Sequence, residues 1–231
     1  MKKIILLSAL FGVIFTLTSC QKAEEITVSK YFQAMQTNDK DTMAAMAVEP
    51  KDIEFKSYKL TIAGEPTTEP LALPKLQKEL ADLQKAKRDQ VNVALDKRDE
   101  VEEMQLEAED TRRRTKKSEL DQKIKELQAQ LEAEEQKVKD IQAHTNQLNQ
   151  MIKQEKNMIT MSTGINQNFE LYTGETQWAK ALADVTLTNN ETKKYVFLLR
   201  KDELKIEDRD IKGRLIITKI ETEEDFQKQA Q

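Results

Sequence analysis

The chain has 231 residues, 34% charged and 5% aromatic, with 37 Lys plus Arg against 41 Asp plus Glu for a net charge of −4. So polar a composition excludes one large apolar core and requires part of the chain to be an extended, solvent-facing element. The acidic balance offers no footprint for nucleic acid, and a single cysteine, Cys20, excludes an intramolecular disulfide.

Lys2 and Lys3 precede an apolar stretch from Ile4 to Leu17, broken only by Ser8, Gly12 and Thr16, and small residues then lead to Cys20. This is the layout of an exported leader. The apolar run is short of the roughly 18 to 20 residues that cross a hydrocarbon core, so cleavage is expected in place of a membrane span. The segment Leu17-Thr18-Ser19-Cys20 resembles the lipobox of bacterial lipoproteins. That resemblance implies removal of residues 1–19 as a signal peptide, a diacylglycerol on the Cys20 thiol, and a further acyl chain such as palmitate on the new amino terminus. Two or more chains anchor stably, because each buried methylene contributes about 0.8 kcal/mol. It also implies a cell-envelope location. In resembling Gram-negative lipoproteins a residue other than Asp after the cysteine, here Gln21, favours the periplasmic face of the outer membrane over the inner membrane. Without Lys2 and Lys3 the mature chain keeps 35 cations against 41 acids, a net charge of −6.

Residues 20–25 read as a lipid-anchored tether. From Ile26 to Val48, Val28, Tyr31, Phe32 and Met35 recur at helical spacing, Asn38-Asp39 interrupts, and Met43, Ala44, Met46 and Ala47 resume, which predicts two short helices. Ile53 to Ile62 reads as a strand. Ala63 to Pro74 holds three of the four prolines and reads as a linker.

From Lys75 to Thr163 there is neither Gly nor Pro over 89 residues, and apolar residues keep a heptad rhythm. The first arm carries Leu76, Leu80, Leu83, Ala94, Val101 and Met104 on its seam, and the second carries Leu120, Ile124, Leu127, Val138, Leu148 and Ile152. The two seams differ in phase by two residues, which neither a stutter nor a stammer repairs. The break falls on the cationic run around Arg112 to Lys117, with Ser118 as the expected N-cap of the second helix. An antiparallel coiled-coil hairpin follows from this reading. Pairs whose numbers add to 228, such as Leu76 with Ile152, or to 235 both suit it. One longer helix dimerising in parallel through the same seam is the other reading.

After Gly164 the pattern becomes strand-like: Phe169 to Thr173, a turn at Gly174-Glu175, an alternating run from Ala179 to Leu187, a turn at Asn189-Asn190, and strands at Tyr195 to Leu199 and Leu215 to Ile220, separated by polar Asp202 to Asp210. The expected fold is α+β: a small antiparallel sheet covered by the N-terminal helices, with a long antiparallel coiled-coil helical hairpin inserted in it. Residues 26–74 and 164–231 would form one discontinuous domain, and 75–163 the hairpin.

The segment Lys30-Tyr-Phe-Gln-Ala-Met-Gln-Thr-Asn-Asp-Lys-Asp-Thr-Met-Ala-Ala-Met46 resembles the opening helices of small bacterial lipoproteins with a nuclear-transport-factor-2-like, or cystatin-like, fold. Tyr195 to Lys201 and Leu215 to Ile220 resemble the closing meander of that sheet. The resemblance covers roughly 90 residues of the α+β body and is interrupted by the coil, which ordinary members lack. Enzymes of that family use an Asp and a His, or two carboxylates, in a cone-shaped pocket. The single histidine here is His144, in the coil, so no catalytic residue carries over.

His144 reads as solvated, with no second His to complete a metal set, and Glu132 and Glu135 read as surface. Trp178, Tyr172 and Phe197 are candidates for a small pocket or, more simply, for core packing. Arg112, Arg113, Arg114, Lys116 and Lys117 form either a cationic interaction tip or a solvated turn. The expected protein is a non-enzymatic lipoprotein whose hairpin meets another protein or an anionic envelope polymer, without cofactor or metal. The alternative is a small-ligand-binding module with its pocket in the cystatin-like body.

Overall fold

The computed structural model describes residues 22–110, 114–207 and 209–229. They fall into two units, one containing the chain up to Pro70 together with Met158 onwards, the other Leu71–Asn157. No described helix is long and apolar enough to cross a membrane.

In the first unit the alternating residues after Tyr172 form two strands of 15 residues each, β3 (Thr173–Leu187) and β4 (Thr192–Ile206). They pair antiparallel from Thr173 opposite Lys205 to Thr186 opposite Thr192. Asn190 closes the turn between them with φ of 69°, the left-handed region that Asn tolerates. Short strands line both sides of this ribbon. β1 (Phe55–Ile62) and β2 (Thr67–Pro70) pair with successive parts of β3, and β5 (Arg209–Lys212) and β6 (Ile216–Thr222) with successive parts of β4. All these pairings are antiparallel.

One face of the sheet is covered by α1 (Ala23–Gln36) and α2 (Lys40–Met46). Helix α1 presents Val28, Tyr31, Phe32 and Met35 at helical spacing, and all four are buried. Opposite them β3 places Ala179, Ala181, Ala183 and Val185, small side chains that leave room for rings. Phe32 stacks on Tyr58 at 4.1 Å between centroids and meets Phe197 at 5.5 Å. The Tyr31 hydroxyl donates to the Lys51 carbonyl at 2.9 Å and accepts from the Lys51 amide at 2.8 Å, satisfying a backbone that neither helix nor strand serves. Burial pushes the Tyr31 phenol up from its usual range. Between the helices Asn38 turns the chain with φ of 53°, and Asp39 caps α2 by accepting from the Thr42 amide at 3.0 Å.

Five local expectations in this unit need correction. Helix α1 begins at Ala23, so Ala23 to Glu25 are helix and not tether. The proline-rich linker contains β2, an edge strand, where a missing amide donor is tolerated. Phe169–Leu171 is a turn of 3-10 helix, not a strand. Gly174-Glu175 is no turn: it lies inside β3, with Gly174 opposite Leu204. The polar Asp202 to Asp210 segment continues β4 to Ile206 and opens β5.

The second unit is helical. α3 (Ala72–Asp110) has 39 residues, and α4 (Arg114–Thr163) has 50, its last residues from Met158 belonging to the first unit. Pro74 is the third residue of α3, in the first turn, where no intrahelical bond needs its amide. Ser118 lies inside α4 and does not cap it, because the helix starts at Arg114. A short helix of seven residues, α5 (Glu223–Gln229), follows β6 and bears acids in its first turn and Lys228 in its last.

Candidate functional site

Cys20, Arg112 and Arg113 lie outside the described residues. Arg114 is the first residue of α4, and Lys116 and Lys117 on its first turns are exposed. Lys116 Nζ is 3.1 Å from Glu107 Oε1 near the end of α3. Both side chains stand in solvent, so the pair contributes little stability, and the lysine's charge is partly matched.

The contacts between α3 and α4 recur along the second unit. His144 Nε2 is 3.6 Å from Glu79 Oε1, with both side chains largely exposed. Lys87 donates to Gln142, Gln90 Nε2 to Glu134 Oε2 at 2.5 Å, and Arg98 to Glu135 Oε1 at 2.9 Å. Passing from Glu79 to Glu107 along α3, the partners on α4 run from His144 back to Lys116. Ala94, Val101 and Ala108 of α3 and Leu120 and Leu148 of α4 are buried, whereas Lys87, Gln90 and Glu134 bring polar atoms among them. Hydrogen bonds from Lys137 and then Gln90 hold the Glu134 carboxyl below its usual range. Beside this line Val91, Ala94, Leu95 and Arg98 form, with Val138 and Lys139, an open groove of about 250 Å³.

Phe197 and Trp178 lie on opposite faces of the sheet, and Tyr172, half-buried, follows the 3-10 turn. Phe197 is fully buried in the core under α1. Trp178 lies opposite Arg200 in the β3–β4 ladder, one residue off the ladder pair Ala179 and Leu199 that faces the core, and so points to the other face. Its Nε1 donates to Glu69 Oε1 at 2.5 Å.

On that other face lies a buried polar cluster that the sequence reading missed. Arg200, Asp202 and Thr176 are 1%, 0% and 2% exposed. Arg200 Nε donates to Asp202 Oδ1 at 2.8 Å, and the Thr176 hydroxyl donates to the same oxygen at 2.8 Å. The Arg200 guanidinium also meets Met158 Sδ at 3.6 Å and lies 5.4 Å from the Trp178 ring. Ser162, near the end of α4, accepts from the Asp202 amide at 3.0 Å and donates to the Arg214 carbonyl at 2.9 Å. Arg214 in turn donates to two carbonyls in the last turns of helices, Met161 O at 3.1 Å and Ala45 O at 2.9 Å, a position that suits a cation. The cluster fastens Met158 to Thr163 onto the sheet. Its charges are paired with one another and closed to solvent, which suits holding a helix in place. The available signal was an Arg and an Asp two residues apart in a strand-like run, Leu199-Arg200-Lys201-Asp202, hence on one face.

Among the described residues, no group of three or more His, Cys, Asp or Glu side chains is placed to hold a metal ion. No protein-family model matches the chain, and no curated protein and no solved structure matches it.

Proposed function

We propose that the protein is a non-enzymatic lipoprotein of the bacterial cell envelope, held through Cys20, that presents an antiparallel coiled-coil hairpin to another protein or to an anionic envelope polymer. The observation that carries the reading is the run of contacts between α3 and α4, from Glu79 with His144 to Glu107 with Lys116, in which the chain order of the partners is reversed. Heptad seams that bury Ala94, Val101, Leu120 and Leu148 agree with helices packed along one another. In this reading Arg112, Arg113, Arg114, Lys116 and Lys117 gather at the turn, where several cations attract an acidic surface. The α+β unit, with two helices laid on an antiparallel sheet, is the nuclear-transport-factor-2-like body of the reading. Its periplasmic placement at the outer membrane follows from the lipobox and Gln21.

A photo-crosslinking residue at Lys117, in cells making the full chain, tests the proposal. A defined envelope partner should be captured, and capture should fall about tenfold when Arg112, Arg113 and Arg114 become Glu, the scale of two or three lost charge contacts. In parallel, Cys20→Ala should release the chain from the membrane fraction or leave its leader uncleaved. Undiminished capture by the charge-reversed tip would overturn the tip's role, and unchanged processing and attachment of the Cys20 variant would overturn the anchor.

A further inference from the structure

Positions 88, 91, 95, 98, 102, 106 and 109 follow at steps of three or four and so lie along one side of α3. Two features of this stripe stand out. It exposes two large apolar residues, Leu95 at 46% and Leu106 at 66%, where the rest of the helix exposes one, Val93 at 43%, among mostly charged side chains. Its ends also carry opposite charge, each outside an apolar neighbour, with Arg88 then Val91 at the start and Leu106 then Glu109 at the finish; Arg88 and Glu109 are both exposed.

A stripe with this order is complementary to itself when turned end for end. Setting residues against each other so that their numbers add to 197 places Arg88 opposite Glu109 and Val91 opposite Leu106, and two-fold symmetry makes each contact twice. Nearer the axis the same register sets Glu102 opposite Leu95 and brings the two Arg98 side chains together, each steadied by Glu135 at 2.9 Å within its own copy and within side-chain reach of Glu102 of the other. The stretch from Arg88 to Glu109 spans about 32 Å of helix.

We infer that α3 of a second copy of this chain lies antiparallel along the Arg88–Glu109 stripe, so that the protein is a two-fold dimer through its helical unit. The charge order selects this occupant. A partner of one sign, such as an acidic polymer or a uniformly acidic helix, would match Arg88 and Arg98 but be repelled by Glu102 and Glu109. The opposed ends that defeat such a partner are what a reversed copy satisfies, through Arg88 with Glu109 at both symmetry-related contacts. The contact rests on α3 alone and is independent of whether the cationic turn binds anything.

Charge exchange tests the dimer on the full chain, purified in mild detergent, by sedimentation equilibrium at matched density. The wild-type chain should dimerise in the micromolar range. Arg88→Glu should weaken dimerisation by roughly tenfold or more, since two attractive contacts each become repulsive, and Glu109→Arg should do the same. Mixing the two variants should restore association, because at both symmetry-related contacts an acid of the first variant then faces a cation of the second. Leu106→Gln should weaken it without altering the charge. Helix content by circular dichroism should be unchanged, as all three positions are exposed. A wild-type chain that stays monomeric would overturn the inference. So would single variants that dimerise as well as wild type, or a mixture no better than either variant alone, and the mixing arm decides even where one variant folds less well.

Discussion

Arg200 Nε lies 2.8 Å from Asp202 Oδ1, and the two side chains, two residues apart on β4, are 2% and 0% exposed. A buried pair of this kind gains little over apolar residues of similar size, but breaking it strands a charge. Asp202→Leu alone should therefore lower the free energy of unfolding by about 3–5 kcal/mol. Arg200→Met combined with Asp202→Leu should recover at least half of that loss in urea unfolding. A double variant no more stable than the single one would mean that the pair does not act as a unit.

Tyr31 joins α1 to the segment before β1 through two hydrogen bonds with Lys51. Tyr31→Phe removes both bonds to the Lys51 backbone, which is only part-buried, and should cost about 0.5–1.5 kcal/mol near neutral pH. Burial raises the folded-state pKa of the phenol above its ordinary 10.0. The stability this represents is fully present below the unfolded value and is lost as pH rises through the folded one. The gap between wild type and variant should thus narrow in alkaline solution beyond pH 10, and a gap that widens there would contradict the assignment.

Much of this architecture was legible in residue order, and the misses have physical causes. Helical spacing of Val28, Tyr31, Phe32 and Met35, with Asn38-Asp39 as interruption, marked α1 and α2, because a packed helix face leaves a strong periodic record. Alternation from Ala179 to Leu187 marked β3 for the same reason. The strands that were missed sit where that record fails. β2 is exposed throughout, so no hydrophobic pattern reveals it. β4 beyond Leu199 buries Arg200 and Asp202 where a strand's apolar side chains are expected, so the reading ended early. That break in pattern is also the polar cluster.

Gly174 illustrates a related ambiguity, since glycine marks turns and also close backbone approach. Its φ is 144°, and a Cβ there would run into the Glu203 carbonyl on β4. Gly174→Ala should destabilise the first unit by about 1–3 kcal/mol through strain at that position, seen as a lower melting temperature. If alanine were accepted without cost, the β3–β4 pairing at that end would have to be looser than the ladder indicates.

Asp39 offers an acid-side counterpart to Tyr31. Hydrogen bonds from the Thr42 side chain and then its amide hold the Asp39 carboxyl below the ordinary 3.8. A depressed folded value stabilises above the unfolded pKa, and the contribution disappears as pH falls through the folded value. Asp39→Ala should lower the melting temperature at neutral pH and converge on wild type under strongly acidic conditions, whereas Asp39→Asn should retain most of the cap at neutral pH. A constant difference between Asp39→Ala and wild type across the acid range would show that the carboxylate does not cap α2.

The division of the chain makes the last prediction. Every paired strand, both N-terminal helices and the Ser162–Asp202 fastening lie in the unit made of the chain up to Pro70 and from Met158 onwards. Replacing Leu71–Asn157 with a short Gly/Ser linker should therefore leave a soluble body that melts cooperatively, since shortening a loop costs little closure entropy once its ends already belong to one structure. The excised Leu71–Asn157 segment should remain helical, because its contacts, from Glu79 with His144 to Glu107 with Lys116, are internal to it. The decisive readout is the Asp202→Leu change placed in the shortened body. It should destabilise that body too, because the Thr176, Arg200 and Ser162 partners of Asp202 are retained there. A shortened body that fails to fold would show that the sheet depends on the helical unit and that the two units are one cooperative structure.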